Sequence, residues 1–159
     1  MKLEIKINGV DRVLDCEPGA TLFEVLKAAG YKGVRQGCDC DGACGTCTVL
    51  LDGRAILSCI TPAPRAAGRE VVTVEGLGTP EKPHPLQRSF VEAGAVQCGY
   101  CTPGMLLSAK ALLDRHPTPS DEQIADALGG NFCRCTGYVK ISEAVRNAAS
   151  ELKKSGGAQ

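Results

Sequence analysis

Apolar and polar side chains alternate in the first half of this chain and recur at helical spacing in the second. Leu3, Ile5 and Ile7 alternate with Lys2, Glu4 and Lys6, the period-two pattern of a strand with one buried face. Asn8-Gly9 supplies a tight turn into a second strand over residues 10–14. Thr21-x-x-Glu24 is a capping-box signature, and Leu22, Val25 and Leu26 form a helical stripe that ends near Gly30. After a loop rich in glycine and cysteine, residues 48–51 and 55–60 form a second hairpin around Asp52-Gly53. Residues 69–74 add another strand. The first half therefore predicts one short helix laid across a mixed sheet, a β-grasp pattern.

The pattern changes beyond residue 76. Glycine and proline break the stretch 77–84, which reads as a linker. Residues 85–93 predict a short helix. Thr102-Pro103 puts a hydroxyl cap before a proline suited to the first turn of a helix over 105–113. Ser120-x-x-Gln123 is a second capping box and opens a helix at 124–128. Ile141, Ala144, Val145 and Ala148 share one face of a last helix over 139–152. The expected fold class is α+β: a β-grasp domain over 1–76, a linker over 77–84, a four-helix bundle over 85–154 and a disordered tail at 155–159.

Of the 159 residues, 43% are apolar and 23% charged, and the formal net charge is zero. That apolar share supports a folded core, and the missing basic excess argues against nucleic acid as a partner. No apolar run approaches the roughly 20 residues that span a bilayer. Residues 1–6 lack the apolar stretch of a signal peptide, so a cytoplasmic protein is expected. In a reducing compartment its ten cysteines should not form disulfides. Nine of them fall in tight local groups, as metal ligands do.

The later group is Cys98-x2-Cys101, then thirty-one residues, then Cys133-x-Cys135, each pair before a predicted helix. Helix starts carry unsatisfied N–H donors and favour negative charge, so a thiolate-ligated cluster is at home there. On spacing alone a structural zinc stays open, although the single residue between Cys133 and Cys135 suits it less well. The earlier group is Cys38, Cys40, Cys44, Cys47 and Cys59. A plant-type [2Fe–2S] signature is C-x4-C-x2-C with a later fourth cysteine, and Cys44, Cys47 and Cys59 fit its last three positions. Gly42 and Gly45 would let backbone amides turn toward the sulfurs. The first position is ambiguous, because five residues separate Cys38 from Cys44 and three separate Cys40 from it.

Two blocks carry a family resemblance. They are Gln97-Cys98-Gly99-Tyr100-Cys101-Thr102-Pro103-Gly104 and Gly130-Asn131-Phe132-Cys133-Arg134-Cys135-Thr136-Gly137-Tyr138. Cys44-Gly45-Thr46-Cys47-Thr48-Val49 and the Cys47-x11-Cys59 spacing agree with them. There the sequence resembles the small iron–sulfur subunit of the xanthine oxidase family, the molybdenum hydroxylases, which include carbon monoxide dehydrogenase and 4-hydroxybenzoyl-CoA reductase. The resemblance covers nearly the whole chain and sets zinc aside. It implies a plant-type ferredoxin-like domain with one [2Fe–2S] cluster on Cys38, Cys44, Cys47 and Cys59. A helical domain would follow, with a second cluster on Cys98, Cys101, Cys133 and Cys135. It also implies a large partner with molybdopterin in the cytosine dinucleotide form, a medium partner with FAD, and a dimer of heterotrimers. The chain would relay single electrons between those partners, with the helical cluster nearer the pterin, Gln97 contacting the pterin and Cys135 on its side. A free-standing two-cluster carrier and a metal-stabilised interaction module are the alternatives.

The departure from the family is the extra residue after Gly37. Arg35-Gln36-Gly37-Cys38 matches the family's approach to its first ligand, so Cys38 is expected to bind with the extra residue bulging out, and Cys40 is the rival. Asp39 and Asp41 would lower this cluster's reduction potential. Cys16 reads as a thiol with no role, and His84 and His116, each beside a proline, read as solvated. Tyr100, Phe132 and Tyr138 are expected to shield the second cluster from water. Neither a Walker A motif nor a dinucleotide-binding glycine fingerprint occurs, and nothing in the chain looks able to transform an organic substrate.

Overall fold

The computed structural model describes residues 1–156. Strand β1 (Lys2–Ile7) buries Leu3, Ile5 and Ile7 and pairs antiparallel with β2 (Val10–Asp15), with Leu3 opposite Leu14 and Ile7 opposite Val10. Asn8 and Gly9 both take positive φ, as the two central residues of a tight hairpin turn must. Helix α1 (Leu22–Ala28) starts on the Thr21–Glu24 capping box and lays Leu22, Phe23, Val25 and Leu26 on the core. Strands β3 (Thr48–Leu51), β4 (Arg54–Leu57) and β5 (Glu70–Val72) complete a sheet of order β2-β1-β5-β3-β4, in which only β1 and β5 run parallel.

Two strands are shorter than the pattern predicts. The strand expected over 55–60 ends where Ser58 closes the ladder, its hydroxyl and N–H both donating to the Cys47 carbonyl; a 3-10 turn over Ser58–Ile60 then buries Cys59. The strand expected over 69–74 ends at Val72, because Thr73 N–H donates to Asn8 Oδ1 at 2.8 Å instead of to a neighbouring strand.

Four helices follow: α2 (Pro85–Glu92), α3 (Thr102–Arg115), α4 (Asp121–Leu128) and α5 (Val139–Gly156). Three details differ from expectation. His84 is half-buried rather than solvated: it caps α2, with Nδ1 accepting from Leu86 N–H at 3.1 Å and its own N–H donating to Gln87. Thr102 is not the cap of α3; that position is Cys101, and no side chain caps it. Helix α5 runs through Ser155 and Gly156, where a disordered tail is expected; residues 157–159 lie outside the described residues. His116 is exposed, as expected.

Among the described residues there are two large hydrophobic cores and a small cluster between them. One lies beneath the sheet and α1, built on Leu3, Ile5, Ile7, Leu22, Leu26 and Val49; the other lies among the helices, built on Leu86, Phe90, Met105, Ile124 and Ile141. Helix α3 is buried on both sides and joins them. Met105, Leu106, Ala109 and Leu112 face the helical core, and Leu107 and Ala111 pack on Leu50 of β3. No helix among the described residues is long and apolar enough to cross a membrane.

Candidate metal centres

The loop over residues 37–47 wraps Cys38, Cys44 and Cys47 toward Cys59, with Gly42 and Gly45 at positive φ. Cys44, Cys47 and Cys59 are buried and Cys38 is half-buried. The thiols face each other in pairs: Cys38 contacts Cys44, and Cys59 contacts Cys47. Backbone N–H groups gather on Cys38. Ala43 N–H does most to bring its pKa down to about 7, followed by the Cys44 thiol and the N–H groups of Cys44 and Asp41. Burial pushes the Cys59 thiol up to about 12, and the adjacent Cys47 thiol adds to this.

Cys40 is treated differently by the fold. It sits in the left-handed region at φ 63°, its N–H folds back on the Cys38 carbonyl at 2.6 Å, and its side chain packs on the sheet core. Burial, then the neighbouring Cys47 and Cys38 thiols, hold its pKa above the ordinary value. The loop's extra residue is thus taken up as a kink at Cys40.

The second set lies where α3 and α5 begin. Cys98 Sγ is 3.6 Å from Cys135 Sγ, and Cys101 contacts Cys133, so the pairs are crosswise, outer with outer and inner with inner. All four line one cavity of ≈ 140 Å³, whose wall also includes Gly37, Cys44 and Thr46 of the first loop. Burial, and then the Cys133 thiol, push Cys101 up to about 12. Tyr100 N–H and then Cys135 lower Cys98, while Cys98 raises Cys135. Burial opposes the Cys133 thiolate, yet the Thr136 hydroxyl and N–H, with Cys135 N–H, bring its pKa below the ordinary value.

Among the described residues no three His, Cys, Asp or Glu side chains close on a point as one metal ion would require. Facing pairs are a different donor arrangement. At metal–sulfur bonds of about 2.3 Å, two thiolates on one tetrahedral metal stand about 3.7 Å apart. The 3.6 Å between Cys98 and Cys135 matches that edge. Two such pairs per site suit a two-iron core, with a pair on each iron and backbone N–H groups on the sulfurs. The donor chemistry therefore fits a [2Fe–2S] cluster in each half.

The two sets are joined by hydrogen bonds that the spacing of cysteines does not reveal. Phe132 N–H donates to the Cys44 carbonyl at 2.8 Å, linking a first-set residue to the neighbour of Cys133. Beside it, buried Asn131 donates from Nδ2 to the Gly45 carbonyl at 3.0 Å and accepts the Ser108 hydroxyl at 2.6 Å. A Cβ on Gly104 would lie 2.3 Å from the Gly45 oxygen, so α3 approaches the loop as closely as glycine allows.

The expected aromatic shield is only partial. Tyr100 and Phe132 line the cavity but are 47% and 54% exposed. Tyr138 does something else, accepting Cys133 N–H on its hydroxyl at 2.9 Å. Gln97, Cys98 and Cys135 are all exposed, as are Val96 and Phe132. Cys16 is half-buried and apart from both sets.

Comparison with known proteins agrees with this division. The profile of a "2Fe-2S iron-sulfur cluster binding domain" matches residues 5–70, and that of a "[2Fe-2S] binding domain" matches residues 73–146. The chain is similar to the nicotinate dehydrogenase small FeS subunit of Eubacterium barkeri, 48% identical over 92% of this chain and 93% of that one. It is similar to the nicotine 6-hydroxylase small subunit of Paenarthrobacter nicotinovorans at 40% identity, over 99% of this chain and 94% of that one. In solved structures it matches a chain of quinoline 2-oxidoreductase from Pseudomonas putida 86, with a TM-score of 0.92 and 42% identity over 98% and 97% of the two chains.

Proposed function

The chain belongs to the two-cluster [2Fe–2S] small subunits of the xanthine oxidase family, the molybdenum hydroxylases, and from that premise we propose how its residues serve electron transfer. It is the electron-transfer component of an oxidoreductase complex, with an N-terminal ferredoxin-like fold and a helical second half. We assign Cys38, Cys44, Cys47 and Cys59 to one cluster and Cys98, Cys101, Cys133 and Cys135 to the other. The observation that carries this assignment is the 3.6 Å between Cys98 Sγ and Cys135 Sγ, the edge of a tetrahedral metal, in a cavity that Cys101 and Cys133 also line. Cys38 rather than Cys40 is the first ligand: three amides and the Cys44 thiol converge on it, whereas Cys40 turns into the sheet core.

Each cluster supplies a site that takes up and releases one electron. The chain's own residues do the rest. Buried Cys44, Cys47 and Cys59 hold the first cluster away from water, and loop amides favour its charge. The Phe132–Cys44 hydrogen bond provides a bonded route between the two ligand sets, and Asn131 holds that route in register. Exposed Cys98 and Cys135 would leave a cluster bound there accessible to a partner's redox centre.

The partners are a large subunit with molybdopterin, in the cytosine dinucleotide form, and a medium subunit with FAD, assembled as a dimer of heterotrimers. Exposed Gln97 and Cys135 are the proposed contacts with the pterin side. A cytoplasmic setting is part of the proposal: in a reducing compartment the clustered cysteines serve as ligands rather than disulfides. The test is iron analysis with reduced-state EPR of the anaerobically purified complex: four irons per chain and two signals are expected. Cys133→Ser should remove one signal and spare the other; loss of the first-set signal alone would overturn the assignment. Purification without large and medium subunits would instead favour a free-standing carrier.

A further inference from the structure

Arg35, three residues before Cys38, makes a clasp between the two halves. Its Nη1 donates to the Gly99 carbonyl at 2.6 Å and to the Tyr100 carbonyl at 3.3 Å, and these are the two residues between Cys98 and Cys101. The guanidinium carbon lies 5.4 Å from the centroid of the Tyr100 ring. The Tyr100 hydroxyl returns a bond to the carbonyl of Gln36, beside Arg35. On its other side Arg35 is tied to the first set. Its N–H donates to the Thr46 carbonyl at 3.2 Å, and its carbonyl accepts the Thr46 hydroxyl at 3.1 Å. That hydroxyl oxygen is itself 3.1 Å from Cys44 Sγ.

All of these acceptors are neutral carbonyls. Among the described residues no carboxylate lies within ion-pair distance of Arg35. A half-buried positive charge is therefore held, without a compensating anion, beside the Cys98–Cys101 turn, on a residue whose backbone is bonded to the loop of the first set. A four-thiolate cluster is an anion and becomes more negative on reduction, so a fixed cation nearby favours the reduced state. Burial and the clasp keep the guanidinium from being screened as a freely solvated one would be.

We propose that Arg35 is a positioning residue of the relay, whose fixed charge raises the reduction potentials of both clusters together. Its guanidinium is bonded beside Cys98 and Cys101 and its backbone to the loop of Cys44, so one charge is placed to act on both sets. The inference rests on the two-cluster reading given above. Exposed charges of one loop, such as Asp39 and Asp41, would act on the first cluster alone.

The test is a mediated dithionite titration of both EPR signals in the purified complex, for wild type, Arg35→Gln and Arg35→Lys. Arg35→Gln keeps a donor and removes the charge, and both midpoint potentials should shift downward. Arg35→Lys keeps the charge, and both should stay at the wild-type values. A shift of one signal alone, no shift in Arg35→Gln, or equal shifts in the two variants would overturn the proposal. Should Arg35→Gln fail to retain four irons per chain, Arg35→Met takes its place as the uncharged variant: a fall of both potentials against unchanged values in Arg35→Lys would uphold the proposal, and unmoved potentials in Arg35→Met would overturn it. Wild-type complex with a single signal would refute the two-cluster reading itself, an outcome separate from any failure of Arg35.

Discussion

Asn131 shows how one side chain can hold two halves of a protein together. It spends both ends of its amide inside the fold, on the Gly45 carbonyl and the Ser108 hydroxyl. Asn131→Ala would strand those two groups, a loss of about 1–3 kcal/mol. The expected outcome is a lower melting temperature with both EPR signals retained. His84 makes a pH-dependent contribution. Its Nδ1 can accept from Leu86 N–H only when the ring is neutral, and burial, then the Lys110 ammonium, hold its pKa below the ordinary value while Asp114 opposes them. A depressed imidazole pKa gives stability that is complete above the unfolded value of about 6.5 and lost as pH falls through the folded value. Amide exchange in α2 should therefore speed up on acidification, and His84→Asn should abolish that dependence. Asp39 and Asp41, exposed beside Cys38 and Cys40, place negative charge next to the first cluster alone. Asp39→Asn with Asp41→Asn should raise only that cluster's midpoint potential; an unmoved value would exclude an electrostatic role.

Helix α3 is the element on which the assembly turns. It is apolar on nearly all sides because one face serves the helical core and the other packs on β3. Its first residues carry the inner end of the second cysteine set, and its Gly104 touches the first loop. Leu107→Ala would open a cavity between helix and sheet at a cost of about 2–5 kcal/mol, measurable by thermal unfolding of the complex. The elements themselves were legible where local chemistry is decisive. Asn8-Gly9 and Asp52-Gly53 announce hairpins because both turn residues must take positive φ, and Thr21 and Ser120 announce helices because each cap is completed by the residue three positions on. The two strands end where side-chain hydrogen bonds intervene. Thr73 ends its strand because Asn8, far away in sequence, captures its N–H, and Ser58 turns out of its strand where its own hydroxyl takes the Cys47 carbonyl.

At the scale of the molecule the two cysteine sets are unequally protected. Three of the four first-set cysteines are buried, whereas Cys98 and Cys135 of the second are exposed. Chelator added to the isolated chain should therefore bleach the second set's EPR signal first, and association with the partner subunits should remove that difference. Equal rates of loss would contradict the asymmetry. The existence of two sites and seven of the eight proposed ligands are legible in the sequence, because short spacings such as Cys44-x2-Cys47 and Cys98-x2-Cys101 bring thiols together whatever the rest of the chain does. Which thiols face each other does not follow. The pairing of Cys98 with Cys135 and of Cys101 with Cys133 depends on how α3 and α5 are set against one another. The choice between Cys38 and Cys40 depends on where amides of the folded loop point. Arg35 and Asn131 join the two halves across 64 and 86 positions of chain, and contacts at that separation exist only once both cores have formed.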